Sequence, residues 1–256
     1  MKIGILYIGI GRYSCFWKAF YQSCEEFLLP EAEKHYYIFT DNEKEFEGDE
    51  RVEVFHQDDM GWPCNSLLRF KMFNRIKNHL EGQDYLFFFN SNAKFISRIL
   101  PQDILPEEEE EEDYAALCIE DNPEKMSFEP RKDSAAYVSK DQARHYYSGA
   151  LNGGKSRAYL HLIETCETIV DTDLRNGLMP LWHDESVLNR YLVDKHVKVM
   201  YRNMGKPANW KEPQDAKIIL RRKEDVLGRG WLRHYKGREH TNTWLRKLLR
   251  SFGLVK

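Results

Sequence analysis

The sequence predicts an α/β fold, a single domain built on a mixed, mostly parallel central sheet flanked by helices. Three observations carry this reading. Strand-like apolar runs alternate with stretches of helical spacing, the 256 residues hold 42% hydrophobic against 31% charged side chains, and no internal repeat is visible. Residues 2–8 form a short apolar run that ends in Gly9-Ile10-Gly11, a buried strand entering a loop. Residues 16–28 then place Phe16, Ala19, Phe20, Cys24, Phe27 and Leu28 at helical spacing. Residues 35–40 and 52–56 are strand-like, with turn-forming acidic residues beside them. Residues 66–80 carry Leu67, Leu68, Phe70, Met72, Phe73, Ile76 and Leu80, the pattern of an amphipathic helix. Residues 84–89 are a strongly apolar strand that stops at Asn90-Ser91-Asn92.

Beyond Pro101 the chain changes character. Residues 107–113 are an unbroken acidic run, which repels itself and reads as a solvated loop. Residues 114–119 return to the sheet, 156–170 and 184–194 are helices, and 197–201 is a strand. From Arg229 onward eight Lys and Arg face one acid, Glu239. In residues 244–252, Trp244, Leu245, Leu248, Leu249 and Phe252 share one helical face bordered by Arg246, Lys247 and Arg250. That is the pattern of an interfacial helix, so residues 1–228 are expected to form the main domain and 229–256 a basic amphipathic tail able to touch a membrane surface.

The formal charge of −3 argues against a dedicated nucleic-acid binder. Five scattered cysteines without a CxxC pair point to a reducing compartment, and the apolar start is too short for a signal or a span, so a cytoplasmic location is expected. The 13% aromatic content suits a pocket for sugars or bases and suits a packed core equally.

Four segments could carry chemistry. Gly9-Ile10-Gly11 is half a dinucleotide fingerprint, but Ser14 stands where the third glycine belongs. His183-Asp184-Glu185 matches the H-x-E of zinc deaminases without the P-C-x-x-C partner, so that reading fails. The plainer reading has Asp184 capping a helix with Glu185 at its positive end; a carboxylate beside an imidazole also suits nucleophilic or general-base work. Asn90 and Asn92 point the same way where a strand ends, as turn chemistry or as a polar site. Residues 146–154 set small side chains between aromatics and glycines, as at the floor of a tight pocket.

In this order and spacing the segments resemble the family-six retaining glycosyltransferases, which include the blood-group A and B transferases, α-1,3-galactosyltransferase and Forssman synthase. The matching stretches are YIGIGRY, HYYIFTD, SLLRFKMF, DYLFFFNSNAKF, RKDSAAY, YYSGALNGG and WHDESVLNRYLVDK, within about residues 2–201. The resemblance implies a GT-A fold and transfer of N-acetylgalactosamine or galactose from a UDP-sugar to the 3-hydroxyl of a terminal β-galactoside, a fucosylated one, with retention. It implies that Ile8, Gly9, Ile10 and Tyr13 hold uracil and ribose, and that Arg69 and Asp184 grip the donor sugar. It implies further that Ser148, Gly149 and Ala150 choose between the two sugars, that Ser127, Trp182 and His183 face the acceptor, and that Glu185 is the nucleophile. The mammalian members hold manganese with Asp-x-Asp, where this chain has Asn90 and Asn92. Neutral amides are poor ligands for a hard divalent ion, so the expectation is a donor site without metal or other cofactor, with Asn amides and a segment within 223–236 at the diphosphate. The alternative is a glycan- or nucleotide-sugar-binding relative that has lost catalysis; the intact HDES around Glu185 separates the two.

Overall fold

The computed structural model describes residues 1–46, 49–142 and 144–237. The helix expected at 244–252 lies outside the described residues. The chain opens with strand β1 (Lys2–Ile8), helix α1 (Trp17–Phe27) and strands β2 (Glu33–Thr40) and β3 (Val52–His56). The amphipathic stretch expected as one helix is three, α2 (Cys64–Leu67), α3 (Arg69–Arg75) and α4 (Lys77–Leu80), because Leu68 and Ile76 leave helical geometry between them. Strands β4 (Tyr85–Phe89) and β5 (Ala93–Phe95) flank the Asn-Ser-Asn turn, and α5 (Pro101–Ile104) precedes the acidic loop. Nearly all of residues 107–113 is exposed, with Glu107 paired to Lys198. Then come β6 (Tyr114–Glu120), β7 (Tyr146–Lys155), α6 (Ser156–Arg175), α7 (Asp184–Leu192) and β8 (Val197–Met200). The described chain closes with β9 (Lys206–Pro207), β10 (Ile218–Leu220), α8 (Lys223–Leu227) and α9 (Arg229–Gly237).

Seven strands make the main sheet in the order β3-β2-β1-β4-β7-β6-β8, and β5-β10-β9 form a small second sheet. All pairings in the large sheet are parallel except those of β7, which runs against both β4 and β6. Alternate residues of the strands feed two cores, as the pleat requires. Leu6, Phe39, Phe88 and Ala116 pack against α3, α6 and α7, while Ile5, Tyr7, Ile38, Phe87 and Phe89 pack against α1 and β5. A sheet covered on both faces explains why its strands read as nearly continuous apolar runs.

Strand β7 was not evident as a strand in the sequence. Its glycines are there because neighbours come too close for side chains: a Cβ on Gly153 would lie 2.2 Å from Phe87 Cδ1, and one on Gly154 would lie 2.3 Å from the carbonyl oxygen of Asp113. Strands β1, β4, β6 and β8 end at the same edge of the sheet at which β7 begins. Open α/β sheets place their ligands at that carboxyl edge. The expected boundary after Gly228 falls between α8 and α9, whose Leu227 and Leu232 share one apolar cluster with Phe16. Among the described residues no helix is long and apolar enough to cross a membrane.

Candidate active site

At the carboxyl edge lies an open cleft with a cavity of about 110 Å³. Ile8, Ile10 and Tyr13 line it from the end of β1, Arg69 and Phe88 line its floor, and Asn90, Ser91 and Asp184 close its far side. Lys223 from α8 and Tyr235 from α9 complete the mouth. Gly11, at φ +56°, makes the turn that leaves β1, and its N–H donates to Asp41 Oδ1 at 2.7 Å. Gly9 plays a packing part: a Cβ there would meet Phe46 Cζ at 2.7 Å, and the residue does not line the cleft.

Arg69 organises the floor. Its side chain is 1% exposed, Nη1 donates to the carbonyl of Gly149 at 2.7 Å, and the same nitrogen is 2.9 Å from Asp184 Oδ2. The guanidinium lies over Phe88, 4.4 Å from the ring centroid, and over Phe70 at 4.8 Å. Its Nε and Nη2 are buried without an acceptor. Asp184 therefore does not cap α7 as the plainer sequence reading had it. It is the first helical residue and turns its carboxylate to Arg69, while the N-cap position is held by His183 at φ +55°, without a side-chain cap bond. A non-glycine residue in that region is strained, and such strain collects at functional sites. Burial lowers the pKa of the His183 imidazole, against the pull of Asp184, and its ring meets Trp62 edge to face at 5.1 Å.

Glu185 stands one residue further into α7. Its Oε1 accepts from Tyr146 Oη at 2.9 Å and its Oε2 from the backbone N–H of Gly149 at 2.7 Å. Burial pushes its carboxyl pKa up, and the two hydrogen bonds to the carboxylate work against that shift. Gly149 must lack a side chain, since a Cβ would lie 2.9 Å from Asp184 Oδ2. Beside it Ser148 is half-buried, and Ala150 is buried with its carbonyl accepting from Asn90 N–H at 2.8 Å. Ser127 and Trp182 meet at the surface, Trp182 Nε1 donating to Ser127 Oγ at 3.0 Å.

The two asparagines part company. Asn90 lines the cleft, but Asn92 is buried, with Nδ2 donating to the carbonyl of Arg221 at 2.7 Å and its own carbonyl accepting from Arg221 N–H at 2.9 Å. Among the described residues no three His, Cys, Asp or Glu side chains gather closely enough to hold a metal ion. Both amides are neutral: Asn92 Nδ2 is engaged by a backbone carbonyl, and its Oδ1 is buried without a partner.

A model of glycosyltransferase family 6 matches residues 1–222. The chain belongs to this family. As a family 6 glycosyltransferase it takes a nucleotide-sugar donor and a glycan acceptor. The O-antigen biosynthesis glycosyltransferase WbnI of Escherichia coli is 34% identical over 229 residues, covering 88% of this chain and 96% of that protein. Globoside α-1,3-N-acetylgalactosaminyltransferase 1 of Homo sapiens is 28% identical over 212 residues, covering 78% of this chain and 59% of the human protein. Histo-blood group ABO system transferase 1 of Rattus norvegicus is 28% identical over 214 residues, with 77% and 59% covered. The family 6 chain thus spans nearly all of its bacterial relative and about three-fifths of the mammalian ones.

Sequence reasoning missed Tyr146 as the partner of Glu185, and missed Asn189, which ties α7 to β7. Both sit in stretches that match the family, but no local pattern gives them a role; the pairing of β7 with the start of α7 does. From the segment 223–236, expected at the diphosphate, Lys223 and Tyr235 line the same cleft as Ile8, Arg69 and Asn90.

Proposed function

We propose that this chain transfers N-acetylgalactosamine, and galactose less readily, from UDP to the 3-hydroxyl of a terminal β-galactoside with retention and without a metal ion. A fucosylated galactoside is the proposed acceptor, and the cytoplasm, a reducing compartment that suits five free thiols, the proposed setting. The observation that carries the reading is Glu185, a half-buried carboxylate held by Gly149 N–H and Tyr146 Oη next to the Arg69–Asp184 pair. The unsatisfied Nε and Nη2 of Arg69 suit sugar hydroxyls or diphosphate oxygens, and Asp184 suits hydroxyl donors.

In this reading uracil and ribose lie along Ile8, Ile10 and Tyr13. The bond between the anomeric carbon and the diphosphate oxygen breaks with its electron pair leaving on UDP, whose growing negative charge meets the Asn90 amide and Lys223. Glu185 meets the positive charge that develops at the anomeric carbon on the opposite face. The acceptor oxygen then bonds to that carbon from the side UDP has left, and its proton departs with the leaving phosphate or to water. Incubation with UDP-N-acetylgalactosamine, fucosyllactose and EDTA is the test. An α-linked trisaccharide-plus-fucose product in EDTA supports the proposal, whereas UDP binding with no turnover favours a binding protein of the same fold.

A further inference from the structure

Two segments distant in sequence form the wall around Trp182 and His183, and they are stitched together beneath it. Glu129 is 0% exposed. A carboxylate so placed must be paired or it will not stay ionised. Arg131 Nε and Nη2 donate to its two oxygens at 2.7 and 2.8 Å, and the backbone N–H of Arg131 adds a bond of 3.0 Å. Across the gap in sequence, Leu181 N–H donates to Oε2 at 2.6 Å, and Arg131 Nη2 donates to the carbonyl of Met179 at 2.5 Å. Burial works to raise the Glu129 pKa, but the guanidinium and the two backbone N–H groups outweigh it and hold the carboxyl below its ordinary range. One ion pair thus grips both sides of the 179–181 turn, immediately before Trp182, the left-handed His183 and Glu185. Neither partner lines the donor cleft.

We infer that Glu129 and Arg131 are positioning residues for the acceptor side, fixing the turn that presents Trp182 and His183. This rests on the reading of those two residues as the acceptor wall. The geometry explains how a short loop holds a strained His183: the turn before it is anchored by charge-assisted bonds, stronger than neutral ones.

The test is Glu129→Gln in the full chain, with Arg131→Lys as a second variant that keeps the charge and loses the two-pronged geometry. Hydrogen exchange at residues 179–185, UDP affinity, and KM for fucosyllactose and UDP-N-acetylgalactosamine are measured together. The expected result is faster exchange confined to that turn, an acceptor KM raised by about tenfold or more, and unchanged UDP affinity, with Arg131→Lys intermediate. Unchanged exchange at Leu181 in both variants overturns the latch. An equal rise in both KM values, or weakened UDP binding in a folded variant, overturns its restriction to the acceptor side. If the unmodified protein transfers to no galactoside, the acceptor reading fails, while exchange at the turn still decides the latch by itself.

Discussion

Asn189 binds Tyr147 with both ends of its amide: Oδ1 accepts the backbone N–H at 2.8 Å, and Nδ2 donates to the carbonyl at 2.7 Å. The same Nδ2 donates to the carbonyl of Glu185 at 2.8 Å. One buried side chain therefore ties the start of α7 to the strand whose Gly149 holds the Glu185 carboxylate. Asn189→Ala takes the side-chain partner from two buried backbone groups, the N–H and carbonyl of Tyr147. A stability loss of about 1–3 kcal/mol is expected in urea unfolding, since an orphaned buried polar group costs that much. Loosening Glu185 against β7 should also lower kcat by about ten- to a hundredfold. A variant with full kcat would show that Asn189 serves stability alone.

Glu185→Gln should reduce kcat by more than ~10², comparable to removing a positioned electrostatic group, with UDP affinity preserved. The pH profile adds a second check. Burial raises the Glu185 pKa, and the charged form is the one that stabilises positive charge, so kcat should rise with pH through a limb above the ordinary Glu range. Tyr146 donates to that charged form, so Tyr146→Phe should move the limb to still higher pH. A limb that moves toward acid would contradict this assignment.

The central strands and α7 could be read from the sequence because their apolar content follows directly from burial on both faces or on one stripe. Strand β7 could not, because its Gly149, Gly153 and Gly154 answer to neighbours that only the folded sheet brings near. The division of α2, α3 and α4 was hidden for a related reason: Leu68 and Ile76 keep the apolar spacing while their backbones leave the helix. Asn90 and Asn92 share a motif, yet the fold turns Asn92 to Arg221, a contact spanning 129 residues of sequence. The ion pair between Arg69 and Asp184 was foreshadowed by two residues assigned to one sugar, though no local pattern joins them.

Chelation should leave turnover nearly unchanged, because neither Asn90 nor Asn92 carries charge for a divalent ion. Strict dependence on added manganese would refute this. Asn92→Asp should not create a manganese site. The new carboxylate loses the bond to the Arg221 carbonyl and sets negative charge against it, a loss of about 1–3 kcal/mol in stability. Tight manganese binding by this variant, measured by calorimetry, would show the opposite.

Donor choice should follow from Ser148, Gly149 and Ala150. An N-acetyl group at C2 needs more room than a hydroxyl, so side chains facing it must be small. Gly149 is fixed by Asp184, whose Oδ2 would lie 2.9 Å from any added Cβ, which leaves the flanking positions to set the space. Ser148 is half-buried with its Oγ accepting from Ala150 N–H at 3.2 Å, a compact arrangement that keeps both side chains small and close to the strand. UDP-N-acetylgalactosamine should therefore be preferred over UDP-galactose by roughly 10- to 200-fold, the discrimination of about 1–3 kcal/mol that a few heavy atoms of contact provide. Ser148→Met removes the bond to Ala150 and refills the space, so it should erode or invert the preference while leaving UDP affinity intact. Comparing kcat/KM for both donors on one fucosylated galactoside decides the matter: a clear preference for UDP-galactose in the unmodified protein would mean that the space beside Gly149 does not receive the C2 substituent.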